Sequence, residues 1–415
     1  MNAFVYRDGE LHVEGVALSA IAARFGTPCY VYSRAALVSA FRAFDDAFAG
    51  VDHLVCYAMK ANSNLAILDL FARLGSGFDI VSGGELARVI AAGGDPAKVV
   101  FSGVGKTEDE MAQALAAGIL CFNVESAGEL ERLNVVAGAL GKQAPVSFRV
   151  NPDVDPKTHP YIATGLKESK FGIAYEDAPA LFAHAACLPN VAVHGVDCHI
   201  GSQITELSAY VEAAAKVMRL VDRIEADGIA LRHVDLGGGL GIRYRADEET
   251  IDVYEYGLAV REALGTRTQR LLLEPGRFLV GNAGVLLTRV EYLKPGATRS
   301  FAIVDAAMND LLRPALYDAW HPVDAVRPRV GDERQWEIVG PVCESGDFLA
   351  HDRPLSLAAG DLLAVGAAGA YGMAMSSNYN TRPRASEVIV DDRQVHLVRR
   401  RERVDELFAL ENLLP

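Results

Sequence analysis

The stretch VCYAMKANSN, Val55–Asn64, sets a lysine at the end of an apolar run. Val55 to Met59 are apolar or aromatic and read as a buried strand, whereas Ala61-Asn62-Ser63-Asn64 is turn-forming. Lys60 stands between the two. A snorkelling lysine would bury its stem and keep its ammonium in water. An amine held in a partly apolar pocket would instead be driven toward its neutral, nucleophilic form. These ten residues leave both readings open.

Similar apolar runs recur outward along the chain: 53–60, 77–82, 98–103, 119–125, 144–151, 191–202, 232–239 and 270–277. Stretches with helical spacing separate them, among them 65–74, 108–117, 127–140, 207–226 and 250–264. Eight such alternations predict an α/β chain built on a (β/α)8 TIM barrel. Eight strands leave seven connections, and the segment 34–49 can supply the eighth helix. The strand ends carry Lys60, Ser82-Gly83-Gly84-Glu85, His199-Ile200-Gly201-Ser202, Gly237-Gly238-Gly239 and Glu274-Pro275-Gly276-Arg277. In a barrel these ends converge on one face, where active sites are built. Snorkelling accounts for one polar end, not five.

Beyond Arg277 the period changes to alternating runs, 284–292, 336–342 and 388–398, broken by Pro, Gly and Asp turns. This predicts a C-terminal β-domain, with VIV-DDRQ-VHLV as a hairpin. FVYRDGELHV reads as a second hairpin turning at Asp8-Gly9, placed to join the β-domain's sheet. The expected division is a barrel over 28–280 and a β-domain over 281–415, to which the strands of 1–27 contribute.

The bulk numbers narrow the partners. Of 415 residues, 50% are hydrophobic and 23% charged, ordinary for a globular enzyme. A formal charge of -14 argues against nucleic acid or anionic membrane as the main partner, since both reward basic patches. Six cysteines with no CxxC pair suit neither a disulfide scaffold nor a zinc ribbon. The opening MNAFVYRDGELHVEGV reads as neither a signal nor a transit peptide, and 362–375 is too short to span a bilayer. A cytoplasmic protein with reduced thiols is expected.

Some motifs lead nowhere. Ser102-Gly103-Val104-Gly105-Lys106-Thr107 looks like a phosphate loop but has Val100 where the motif needs glycine. Gly237-Gly238-Gly239-Leu240-Gly241-Ile242 fails as a dinucleotide fingerprint at Ile242, although its backbone could still cradle a phosphate. Asp197 and His199 lack a third ligand at diagnostic spacing, so no metal is expected.

Together, YAMKAN, the glycine triplet, HIGSQ (199–203), EPGR (274–277), CESGD (343–347) and GAYG (369–372) resemble the fold-type III pyridoxal-phosphate enzymes, the alanine-racemase-like group. The likeness covers nearly the whole chain in order. MNDLLRPALY (308–317) is most similar to the diaminopimelate decarboxylase family, which commonly has glycine where Ala307 stands.

The resemblance implies pyridoxal 5'-phosphate as cofactor and decarboxylation of meso-2,6-diaminopimelate to L-lysine, the last step of lysine biosynthesis. Lys60 would take the cofactor's aldehyde covalently, and Glu274 would pair with its pyridine nitrogen. His199 would lie against the ring. Ser202, Gly237, Gly238, Gly239 and the Pro275-Gly276-Arg277 turn would hold the phosphate, with Tyr371 touching both phosphate and substrate. Arg277, Arg313 and Tyr317 would bind the substrate's far carboxylate, which suits arginine's planar fork, and Glu344 its far ammonium. Cys343 would protonate the α-carbon. In this family Cys343 and Glu344 come from the partner subunit, so a homodimer is implied. The alternatives are a sibling decarboxylase for ornithine or arginine, whose far-end cation calls for an acid in place of Arg313 and Tyr317, and a catalytically inactive regulatory homologue. Retention of both Lys60 and Cys343 argues against the second.

Overall fold

The computed structural model describes residues 3–155 and 170–415. The chain forms two compact units, one of Ala40–Ile242 with Glu249–Leu279, the other of Met1–Ser39, Arg243–Glu248 and Val280–Pro415.

The first unit is a closed barrel of eight parallel strands, His53–Ala58, Gly77–Ile80, Val99–Phe101, Cys121–Val124, Ala144–Asn151, Val191–Asp197, His233–Asp235 and Arg270–Leu273. Closure is direct: Leu271, Leu272 and Leu273 of the last strand pair with His53, Leu54 and Val55 of the first. Leu54, Cys56, Val100, Cys121 and Leu272 of the strands share one buried cluster, while Phe148 packs outward on Phe182 of the helix Ala178–Ala186, so the strands are buried on both faces and read as unbroken apolar runs. The helix ahead of the first strand, Arg34–Ala47, stacks Phe41 on Phe71 and packs Phe44 and Phe48 against Tyr256. It takes the eighth place.

Three details differ from expectation. The first strand ends at Ala58, and Lys60 lies in a single 3-10 turn, Met59–Ala61. Tyr57 Oη donates to Asn62 O at 2.9 Å and ties that turn down. Ser82-Gly83-Gly84-Glu85 is a helix start rather than chemistry. Ser82 Oγ accepts from Glu85 N, the Glu85 carboxylate accepts from Val81 N, and the helix Gly83–Ala91 follows. A further helix, Ala178–Ala186, went unread in an alanine-rich stretch without clear periodicity.

The second unit is mainly sheet, in the order Phe348–Leu355, Arg334–Val339, Phe301–Val304, Gly284–Lys294, Cys29–Ser33, Ser386–Asp391, Gln394–Arg399. Leu362–Val365 also pairs with Gly284–Lys294, and Val323–Ala325 with Leu362–Val365. The N-terminal strand that joins this sheet is Cys29–Ser33, which moves the division between units from residue 28 to Ser39. The Asp8-Gly9 hairpin forms, with φ +49° and +77° at its turn, but stays apart in a three-stranded sheet with Val16–Ala17. It is held by packing instead: Leu11, Val13, Leu18 and Ile21 share one core with Val31, Leu287, Val388 and Val390.

Candidate active site

The barrel unit gathers the predicted groups at its strand ends. Lys60 Nζ lies 2.7 Å from Asp79 Oδ2, the lysine partly exposed and the aspartate buried. Arg277 Nη2 donates to Ser202 Oγ at 3.2 Å. Gly238 N donates to His199 Nδ1 at 3.1 Å, so that nitrogen carries the lone pair. Burial, Arg149 and Lys60 hold the His199 ring well below its ordinary pKa, and it is neutral.

The glycine triplet is required by space and by backbone. Gly237 and Gly239 have φ +66° and +102°. A Cβ on Gly238 would fall 2.0 Å from Glu274 O, so the loop packs directly on the EPGR turn. A Cβ on Gly276 would lie 3.2 Å from the Ala58 and Ala61 methyls, a close but less severe fit.

Below the mouth lies a floor of acids that sequence spacing could not assemble. One oxygen each of Asp197, Asp235 and Glu274, from three adjoining strands, lie within 4.8 Å of one another. The metal question posed at Asp197 and His199 therefore returns in another form, with Asp197 grouped with two carboxylates and not with the histidine. Burial raises all three acids, and each is raised further by a neighbouring carboxylate. Asp235 is pushed up to about 7, and Glu274 stands well above the usual range. Asp235 Oδ1 accepts from Gly237 N at 2.8 Å, Glu274 Oε1 accepts from Asn123 Nδ2 at 3.4 Å, and Arg149 pairs with Glu125 at 3.4 Å. Asp79 Oδ1, Asp197 Oδ1 and Asp235 Oδ2 are buried without a hydrogen-bond partner among the described residues. Such a floor suits a cationic N–H donor.

Asp79, Asn123, Arg149 and Asp235 were missed in the sequence, and Asp197 was weighed there only as a metal ligand. Each was visible as a polar residue inside an apolar strand (GFDI, CFNV, SFRVN, VHGVD, HVD), the same anomaly that marked Lys60. The phosphate-loop lookalike is structural: Lys106 is buried, with Nζ 2.7 Å from Gly103 O, Asn123 O and Glu129 Oε1.

The sheet unit holds the remaining predicted groups. Arg313, 6% exposed, begins the short helix Arg313–Tyr317. Its Nη1 donates to His321 Nε2 at 2.8 Å, and its Cζ sits 5.0 Å from the centre of the Tyr244 ring. Tyr317, at the other end of that helix, is half-buried. Cys343 and Glu344 are exposed on a loop braced from beneath by buried Asp347, which accepts from Val342 N at 2.8 Å and Met308 N at 2.6 Å. That brace ties CESGD to MNDLLRPALY. Tyr371 has φ +56°, a conformation uncommon outside glycine.

The barrel residues fit pyridoxal phosphate: an amine for its aldehyde, a backbone cradle for its phosphate, and an acid floor with orphaned oxygens for its ring nitrogen. Residues 34–281 match the family described as pyridoxal-dependent decarboxylase, pyridoxal binding domain. The diaminopimelate decarboxylase of Pseudomonas aeruginosa is 64% identical over 415 residues, covering 100% of both chains, and that of Vibrio cholerae is 56% identical over 417 residues, again covering 100% of both. Among solved structures, diaminopimelate decarboxylase from Helicobacter pylori complexed with L-lysine is 42% identical, with a TM-score of 0.92 over 95% of this chain and 99% of that one. The enzyme from M. jannaschi is 39% identical, with a TM-score of 0.95 over 100% and 98%. Its full-length likeness to these relatives, together with the barrel and acid floor described above, places the chain in the diaminopimelate decarboxylase family of pyridoxal-dependent decarboxylases.

Proposed function

We propose that the protein decarboxylates meso-2,6-diaminopimelate to L-lysine and carbon dioxide with pyridoxal 5'-phosphate as cofactor. Besides the likeness over its whole length, the observation that carries the substrate is Arg313, a buried guanidinium fixed by a histidine and an aromatic ring. A cation of this kind suits a substrate that ends in a carboxylate, and would repel the cationic ends of ornithine and arginine.

When bound, the cofactor supplies a sink for the electron pair released as the carboxylate leaves the α-carbon. The chain's own groups do the rest. Lys60 Nζ would hold the cofactor covalently between turnovers, and Asp79, 2.7 Å from the amine, would help to position it. Glu274 would keep a proton on the ring nitrogen, neutral His199 would lie beside the ring, and Ser202, Gly237, Gly238, Gly239 and the Pro275-Gly276-Arg277 turn would hold the phosphate with Tyr371. Arg277, Arg313 and Tyr317 receive the far carboxylate and Glu344 the far ammonium. Cys343 Sγ delivers the proton that replaces carbon dioxide.

The working assembly is a homodimer in which Cys343 and Glu344 serve the site of a second copy. Their exposure on their own chain supports this reading. Free cysteines, and the lack among the described residues of any helix long and apolar enough to cross a membrane, agree with residence in the cytoplasm.

The test is to incubate the pure protein with cofactor and meso-diaminopimelate and to assay lysine and carbon dioxide. Preferential turnover of ornithine or arginine would transfer the protein to a sibling activity. Truncating one partner of a buried charge pair costs about 2–5 kcal/mol, so Arg313→Ala should lose roughly 30- to several-thousand-fold in kcat/KM. Turnover of lysine-like monocarboxylates, where measurable, should hardly change. Equal loss on both would mean that Arg313 serves the fold or the cofactor.

A further inference from the structure

Arg313 sits at the start of a five-residue helix, with Pro314 behind it, and so short an element cannot by itself fix a long side chain. The guanidinium is steadied from outside. His321, fully buried, places Nε2 2.8 Å from Arg313 Nη1 and Nδ1 2.9 Å from Gly366 O. A carbonyl oxygen only accepts, so Nδ1 carries the proton. A guanidinium only donates, so Nε2 carries the lone pair. Both contacts assign the same neutral tautomer, and an imidazolium would set N–H against N–H.

The ring itself has little freedom. Gly366 N donates to Pro322 O at 2.8 Å, and a Cβ on Gly366 would lie 2.7 Å from Pro322 Cγ. Arg353 Nη2 donates to His321 O at 3.0 Å. Tyr244 stands edge-on to the imidazole, 81° between planes and 5.3 Å between centres, while its face meets Arg313. The choice of acceptor has a chemical consequence. A carboxylate in the place of His321 would orient Arg313 and also neutralise it, whereas a neutral imidazole takes one N–H and adds no negative charge.

We propose that His321 is a positioning residue for substrate specificity: as the Nδ1–H tautomer it aims the Arg313 guanidinium at the substrate's far carboxylate while preserving its charge. This rests on the reading of Arg313 given above.

The test uses the cofactor-loaded enzyme and two competitive inhibitors. L-lysine is what remains of diaminopimelate once the reacting carboxylate has gone, so its carboxylate is the far one. 1,5-Diaminopentane lacks it. Losing a hydrogen bond to a charged group should raise both the lysine Ki and the diaminopimelate KM of His321→Ala by about 10- to 100-fold. Its kcat and its Ki for 1,5-diaminopentane should stay near those of wild type. His321→Gln keeps an acceptor within reach of Arg313, should recover most of the lysine affinity, and decides the matter if the alanine variant fails to fold. Equal weakening of both inhibitors would assign His321 a merely structural role and overturn the proposal. Arg313→Ala, run alongside, separates the two levels. If it weakens lysine while both His321 variants bind lysine normally, the positioning role falls and the Arg313 reading stands. If Arg313→Ala itself leaves lysine binding unchanged, the reading beneath falls too.

Discussion

Lys60 and Asp235 show how its immediate surroundings set the chemistry of a single side chain. Lys60 sits in the 3-10 turn just past its strand with Nζ 2.7 Å from Asp79 Oδ2, and on the proposed reading this amine would take the cofactor's aldehyde. Lys60→Ala should lose the visible absorbance of the bound cofactor and all turnover, and borohydride should fix no cofactor to it. Fixation to the variant would move the anchor to another lysine. Asp235 stands at about 7, against about 3.9 for an unfolded aspartate. The folded chain therefore keeps a proton that the unfolded chain has released between about pH 4 and 7, and the stability from that proton is lost as pH rises through this window. Asparagine cannot titrate, yet its Oδ1 can still accept from Gly237 N. Cofactor-free Asp235→Asn should thus gain on wild type from pH 5 to 8, by on the order of 2–4 kcal/mol, most of it by pH 7. Denaturant titrations at four pH values would show it, and a constant difference would refute it. Lys60 was legible because it closes an apolar run. Asp235 was not, because one acid inside such a run gives no sign of the two others that folding sets beside it.

Among the elements, the loop after the seventh barrel strand has very little room. Gly238 lies against the Glu274 carbonyl, a backbone atom that cannot swing aside. Gly238→Ala should part the triplet from the EPGR turn and weaken cofactor binding by at least about tenfold, a loss of ~1.4 kcal/mol, while the barrel still folds. Equilibrium dialysis against circular dichroism separates the two effects, and unchanged affinity would remove the triplet from the cofactor site. At this scale the sequence was read unevenly. The triplet was recognisable as a place for close backbone approach, whereas Ser82-Gly83-Gly84-Glu85 has the same glycine-rich look and only caps a helix. What separates them is the strand packed alongside, Arg270–Leu273 with its following turn, which no local window contains.

For the whole molecule, the barrel was legible because parallel strands covered on both faces leave long apolar runs, and the sheet unit because its period drops to two. The hairpin was placed in the wrong sheet, since packing through Leu11 and Val13 leaves the same apolar signature as pairing would. Lys60 belongs to one compact unit and Cys343 to the other. If a two-fold dimer shares its sites, two inactive variants can repair each other. Lys60→Ala and Cys343→Ala, mixed and allowed to exchange subunits, should form about half heterodimers with one intact site each, returning roughly a quarter of wild-type activity. Each variant exchanged with itself should stay dead. No recovery, with exchange verified by differently tagged chains, would put each site within one chain and remove Cys343 as the donor from a second copy.

The place of Cys29–Ser33 has a consequence for how the protein is made. All five residues are buried, between Gly284–Lys294 and Ser386–Asp391. On the ribosome this strand emerges before any barrel strand, and both its neighbours emerge after the last one. The barrel must close while an apolar strand waits with neither edge paired, the state most prone to aggregate. Chaperones have their longest claim on the nascent chain in that interval, and a message truncated just after the barrel would leave the wait unending. A circular permutant that begins near Ala40 and carries the first 39 residues behind Pro415 would deliver the strand last, into a slot already framed on both sides.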